Sequence, residues 1–223
     1  MIVFFKNFNR TERTILSIQS VRYLFPSIDI YCLNLFLNDE NEYDQYKDIF
    51  DEFNVTTFFD KKKYNFDASG AGLETNGLYF TEGINKMYQI SKEFDKVLML
   101  DEDSFFTSGE TIKFLLNNDF DLAYGTWPSP TFESREDNPV HINASIIAFN
   151  CKRLSEIFPI AERQEYIEEL LEIEVYNKCK SLGFKTLFIP TRNYIDYGGD
   201  GLHTNDIEVI KNELSISNIP FKL

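Results

Sequence analysis

The chain has 223 residues, 43% of them hydrophobic and 16% aromatic, enough apolar side chain to bury a real core in one compact domain. Its formal net charge of −14 argues against nucleic acid as a partner, because a protein that displaces counterions from phosphates needs a basic footprint. No apolar run reaches the roughly 18 residues of a membrane span, and Met1–Phe5 reads into a strand rather than a secretory leader, so a soluble, cytoplasmic protein without a transmembrane segment is expected.

Ile2–Phe5 is a short apolar strand that gives way to the polar run Lys6–Arg10. Thr11 or Thr14 then caps a helix carrying Ile15, Ile18, Val21 and Phe25 on one face, and Pro26 stops it. Asp29–Leu33 is a second strand, and strand, polar loop, helix, strand is the repeating unit of a parallel sheet. A surface helix over Tyr43–Phe53 and a third strand over Val55–Phe59 follow, then a loop at Asp67–Gly72. The next helix is expected over Thr81–Phe94, with Ile84, Met87, Tyr88 and Phe94 inward. It feeds Lys96–Leu100, the strongest strand in the chain.

The second half predicts a helix over Glu110–Asn117, a strand over Leu122–Tyr124, a Pro-rich loop over Trp127–Pro139 and a strand over Ile142–Phe149. A long helix is expected from Arg163 to Leu182, burying Leu171, Val175, Cys179 and Leu182, with Gly183 as its C-cap. Phe184–Ile189 reads as the last strand, Gly198–His203 as a loop, and the tail after Asp206 as a short helix with frayed ends. Cys32, Cys151 and Cys179 are far apart in the chain and odd in number, which predicts buried thiols rather than a disulfide framework or a zinc site.

Chemistry concentrates where the strong strand ends. Lys96–Leu100 is apolar on both faces, as a central parallel strand covered by helices must be, and it runs straight into Asp101, Glu102 and Asp103. Ligands of open α/β sheets bind outside the carboxyl ends of the strands. Strand alternation turns Asp101 and Asp103 to one side and Glu102 to the other, so two hard oxygen donors face one cation, Mn²⁺ or Mg²⁺. For an acidic protein that handles a diphosphate, a carboxylate-held cation also cancels charge locally. An isolated Asp-x-Asp also reads as a solvated acidic turn.

The stretch Phe94–Phe106 resembles the metal-site strand of GT-A glycosyltransferases, and Phe4–Ile18 resembles the first strand, nucleotide loop and helix of the family-2 type. That resemblance implies a single α/β GT-A domain with a mostly parallel twisted sheet flanked by helices, residues 1–103 forming the nucleotide-sugar-binding half and 104–223 the acceptor half. It places the nucleoside over the first loop, with Asn7, Asn9 and Arg10 in contact, although Lys6 stands where that family often has Pro or Thr. Glu102 joins the donor set. Gly83–Tyr88 is similar to the helix entry before the metal strand, which adds Asn76, Gly77, Gly83 and Asn85, while a helix cap is the simpler reading of Asn76 or Thr81.

His203 sits where GT-A enzymes place a third metal ligand, and imidazole suits Mn²⁺ beside carboxylates; an ordinary loop histidine is the other reading. Asp200 either supports that loop or contacts phosphate. The stretch from Leu171 to Gly183 aligns with the acidic helix start of inverting members, which makes Glu172 the base that deprotonates the acceptor hydroxyl. Glu165, Glu168, Glu169 and Glu172 equally form a solvated stripe at helical spacing. His141–Asn150 resembles the strand flanking the donor sugar in retaining family-8 enzymes, and places Asn143 near that sugar. Trp127 either stacks on an acceptor sugar or packs its loop.

The expected reaction is transfer of a sugar from a nucleotide-diphosphate sugar, UDP before GDP, to a hydroxyl of a glycan, lipid or protein, by a chain that is itself complete or a domain of a longer one. Inversion is slightly favoured over retention. Two rivals remain: a sugar-nucleotide nucleotidyltransferase, whose usual Gly-rich triphosphate loop the Lys6–Arg10 run lacks, and a carbohydrate- or cation-binding module without turnover.

Overall fold

The computed structural model describes residues 1–7, 11–35, 40–60, 73–102, 104–125, 143–160, 170–189, 201–203 and 206–223; at 35, 40–43, 45, 60, 73–80, 143–145, 170–173 and 201–203 it describes the backbone alone. In chain order the elements are β1 (Ile2–Asn7), α1 (Thr11–Leu24), β2 (Asp29–Leu35), α2 (Glu40–Glu52), β3 (Val55–Asp60), α3 (Leu73–Ser91), β4 (Lys96–Asp101) and β5 (Ser104–Phe106). Then come α4 (Glu110–Asn117), β6 (Leu122–Gly125), β7 (Asn143–Asn150), a 3-10 helix (Cys151–Glu156), α5 (Leu170–Ser181), β8 (Thr186–Phe188), β9 (Gly201–His203) and α6 (Ile207–Ile216).

Seven strands form one sheet in the order β3-β2-β1-β4-β7-β6-β8. Strands β1 to β4 pair in parallel, β7 runs antiparallel to both β4 and β6, and β8 is parallel to β6. Among the described strands of this sheet only β7 therefore runs against the rest. The chain moves outward from β1 through β2 to β3, then returns to place β4 on the other side of β1. That reversal is a topological switch point, and it opens a crevice outside the carboxyl ends of β1 and β4.

All six residues of β1 are buried, because helices cover both faces of the sheet. Strand alternation divides the core accordingly. Ile2, Phe4, Val97 and Met99 pack with Ile84 and Met87 of α3 and with Val175, Tyr176 and Cys179 of α5. Val3, Phe5, Leu98 and Leu100 pack on the opposite face with Ile15, Ile18 and Val21 of α1, Phe50 of α2, and Ile112 and Leu115 of α4. The β4 entry is pinned by Lys96, whose Nζ donates to the carbonyls of Leu115 (2.8 Å), Leu116 (3.3 Å) and Asn118 (2.8 Å) at the end of α4. A cation at a helix C-terminus meets the negative end of the helix dipole there.

Four expectations need correction. Helix α3 begins at Leu73, eight residues before the expected Thr81, and so carries Gly77 as well as Gly83; burial of Ile84 and Met87 against the sheet offsets the helix penalty of glycine. On α5 the buried stripe is Val175, Tyr176 and Cys179, and Leu182 is 38% exposed at the turn after the helix. Gly183 does adopt the left-handed conformation, φ +67°, that ends the turn. Residues 201–203, read as loop, form strand β9 against β5. The C-terminal helix is not frayed: Asp206 caps it by accepting from the Glu208 N–H at 3.0 Å, and Ile210, Leu214 and Ile219 bury against Leu16 and Phe105. Beyond it, Gln19 and the Lys222 backbone exchange two hydrogen bonds of 2.6 and 2.7 Å.

Candidate active site at the carboxyl edge of the sheet

Lys6 and Asp101 are register partners on adjacent parallel strands at the switch point. The Lys6 Nζ stands 2.6 Å from Asp101 Oδ1, with the lysine side chain 2% and the aspartate 19% exposed. Both follow the Phe4/Met99 alternation, so the pair lies on the face covered by α3. The lysine stem passes directly over Gly83: a Cβ there would meet Lys6 Cδ at 2.5 Å and Cγ at 3.0 Å. Gly83 is thus the residue of α3 that makes room for the ammonium to reach Asp101.

Glu102 takes the other face, as alternation predicted. It is 5% exposed, and its carbonyl accepts from the Ser17 hydroxyl of α1 at 3.1 Å. Its charge, after burial itself, pushes the Cys32 thiol pKa upward. One turn along α1, the Ser20 hydroxyl accepts from the Phe106 N–H at 3.1 Å and donates to the Ser17 carbonyl at 2.7 Å. Two buried serines of α1 therefore tie down the chain on either side of Asp103.

Strand β5 pairs antiparallel with β9, and Ser104 is the register partner of His203. The ladder delivers the histidine to the residue that follows Asp103, which brings the two ends of the predicted metal set to one place in the fold. A carboxylate offers about four lone-pair sites, so the Lys6 contact does not exhaust Asp101 as a donor. Carboxylate oxygens and imidazole are donor types that suit Mn²⁺ or Mg²⁺, and the backbone register places residue 101 and residue 203 at this edge. Among the described side chains no group of three His, Cys, Asp or Glu gathers to hold a metal; Asp103, and the side chain of His203, lie outside that description.

The other candidates fall around the same edge in part. Asn7 ends β1 fully buried, donating from Nδ2 to Asn34 Oδ1 at 2.7 Å and more weakly to Thr11 Oγ1 at 3.4 Å. Its amide is thus tied to β2 and to the start of α1. Asn143 opens β7 opposite Gly125, and because β7 runs against β4 its first residue lies at the carboxyl edge. Asn76 and Gly77 lie near the start of α3, the end nearest that edge, since α3 leads into the base of β4. Asn85 lies further down α3, where its amide accepts from the Ile160 N–H (2.9 Å) and donates to the Ile160 carbonyl (2.8 Å), bracing that backbone. Helix α5 precedes β8, which runs parallel to β6, so its first turn, with Glu172, also starts at the carboxyl edge. Position 172 falls on the same helical stripe as Val175, Tyr176 and Cys179. Asn9, Arg10, Asp103, Trp127 and Asp200 lie outside the described residues.

The residue that sequence reasoning passed over is Lys6, noted only as a departure at the strand exit. A lysine at the end of an otherwise apolar strand is a signal for a buried ion pair, but its partner emerges only from the β1–β4 register.

The sequence matches no protein-family model and no curated protein. Solved structures do share its architecture. The galactosyltransferase LgtC in complex with donor and acceptor sugar analogues superposes with a TM-score of 0.61 at 12% identity, covering 100% of this chain and 97% of that one. The inositol-1-phosphate CTP transferase from T. maritima gives 0.58 at 9% identity, with 99% and 97% covered. The glycosyltransferase GlyE of Streptococcus pneumoniae TIGR4 gives 0.52 at 15% identity, with 100% and 66% covered. The fold is therefore the mixed α/β GT-A type, its seven-stranded sheet flanked by helices. Among the described residues no helix is long and apolar enough to cross a membrane.

Proposed function

We propose that this chain is a metal-dependent glycosyltransferase that moves a sugar from a nucleotide-diphosphate sugar, UDP-linked before GDP-linked, to a hydroxyl of a glycan, lipid or protein acceptor. The observation that carries the reading is the pairing of β9 with β5, the strand that follows β4: the first aspartate of the Asp-x-Asp motif ends a central strand at the switch point, and β5–β9 pairing brings residue 203 beside the residue after Asp103. A GT-A fold shared with a galactosyltransferase raises the prior without assigning the chemistry.

On this reading Asp101, Asp103 and His203 hold Mn²⁺ or Mg²⁺, which when bound offsets the charge that develops on the departing nucleoside diphosphate. The first loop, with Asn9 and Arg10 after Asn7, faces the nucleoside. Asn76 and Gly77 at the start of α3, with Asn143 and Asp200, border the sugar and phosphates. Asn85 and Glu102 serve as supports, one bracing the Ile160 backbone and the other buried on the α1 face. Glu172, in the first turn of α5, deprotonates the acceptor hydroxyl for attack with inversion. Trp127 stacks on the acceptor sugar. The site works in the cytoplasm, where nucleotide sugars are at hand.

A second reading has one specific observation behind it, the fold likeness to a CTP transferase. It calls for a loop that cradles a triphosphate, and Lys6–Arg10 has no glycine to bring backbone N–H groups close to phosphate. Release of UDP from UDP-sugars, with and without acceptor sugars, tests the choice. Metal-dependent UDP release abolished by Asp103→Asn supports the transferase, whereas pyrophosphate release from a nucleoside triphosphate and a sugar phosphate overturns it.

A further inference from the structure

We infer that Lys6 is a positioning residue for Asp101 that restrains the free cation, so that this site takes its metal together with the diphosphate rather than before it. The inference rests on the metal site proposed above and concerns what Lys6 adds to it. Its ammonium is 2.6 Å from Asp101 Oδ1 and almost wholly excluded from solvent. The stem runs over Gly83 of α3, where a Cβ would come within 2.5 Å of its Cδ, and the side chain is 2% exposed, so the ammonium has little room to swing away. Charge already neutralised by a buried cation is not available to a second one, and like charges at close range in a partly desolvated site repel strongly. A divalent ion arriving alone meets an aspartate that is half committed. A divalent ion arriving with a diphosphate brings compensating negative charge with it.

The pair also fixes where Asp101 points. An ion pair between register partners holds the carboxylate on the α3 face. The glycine beneath the lysine stem and the ion pair above it form one device, with an α3 residue, a β1 residue and a β4 residue in contact.

The test is binding of Mn²⁺ alone, read by loss of the free-ion electron paramagnetic resonance signal, to the wild type and to Lys6→Met, with Lys6→Gln as a second neutral variant should the first fold poorly. Methionine keeps an apolar stem over Gly83 and removes the charge. The expected result is Mn²⁺ affinity at least tenfold higher in the neutral variants, with the gain abolished when Asp101→Asn is added, and a smaller further gain on adding UDP than the wild type shows. Damage to the fold weakens binding and so cannot mimic that direction. Unchanged or weaker Mn²⁺ binding in folded neutral variants overturns the role of Lys6 and leaves the metal site standing if the wild type binds. Failure of wild type and variants alike to bind Mn²⁺, with or without UDP, overturns the metal site and the role of Lys6 with it.

Discussion

Ser104 and His203 are register partners in an antiparallel ladder of three residue pairs, so two segments about a hundred residues apart in the chain meet beyond the carboxyl end of β4. The ladder is anchored from below by Phe105, which packs with Leu16, Ile210 and Leu214. His203→Ala is expected to weaken Mn²⁺-dependent UDP binding by about tenfold or more, the scale on which losing one contributor to a metal site is felt, while leaving the urea midpoint close to that of the wild type. Equal loss of binding without metal present would instead assign the histidine to the nucleotide.

Gly83 sits inside α3, where alanine would ordinarily stabilise the helix by up to about 1 kcal/mol. Here the added Cβ meets Lys6 Cδ at 2.5 Å within a packed face. Overpacking of that kind costs about 1–3 kcal/mol, so Gly83→Ala is expected to lower stability despite its better helix propensity. Urea denaturation checks the sign, and a stabilised variant would show that the lysine stem yields freely.

Lys96 works far from the site. Its three hydrogen bonds to carbonyls at the end of α4, with Phe120 4.8 Å from its ammonium, join the base of β4 to the helix beside it. Lys96→Met should cost about 1–2 kcal/mol of stability, the scale of charge-assisted bonds at a helix terminus, and leave nucleotide binding unchanged. Thermal and denaturant unfolding beside a UDP titration separate the two effects.

All three cysteines are buried and reduced. Burial pushes the Cys151 thiol up to about 11 and the Cys179 thiol up to about 12, in each case favouring the protonated form in the folded state. The unfolded chain loses those protons from its ordinary thiol pKa near 9. Stability is therefore fully present below pH 9 and declines as pH rises through the folded-state values. Thiol reagents at pH 8 are expected to leave the native protein unlabelled and to modify all three cysteines in denaturant.

The fold was legible from its strands because apolar runs bounded by polar turns recur along the first half, and Lys96–Leu100 could only be a central strand. The helix expected over Glu110–Asn117 is the one observed. What escaped was non-local. Strands β5 and β9 have three residues each, too short to show a period, and they exist because each completes the other. The early start of α3 was hidden by Gly77, which lies in the helix ahead of the expected Thr81. At the site, Asp101 stood out by its place after an apolar strand, whereas Lys6 acquired meaning only from a register that pairs the two strands. Leu182 looked like core from helical spacing, and the turn at Gly183 carries it into solvent.

Calorimetric titration of UDP and GDP with and without Mn²⁺, repeated on Asp103→Asn, asks whether Asp101 and Asp103 hold a metal against a nucleoside diphosphate. One nucleotide, UDP before GDP, is expected to bind only with the metal and to fail to bind the variant. Binding of neither nucleotide under any condition, or binding indifferent to both metal and substitution, would contradict it and return the acidic motif to an ordinary turn at the end of a strand.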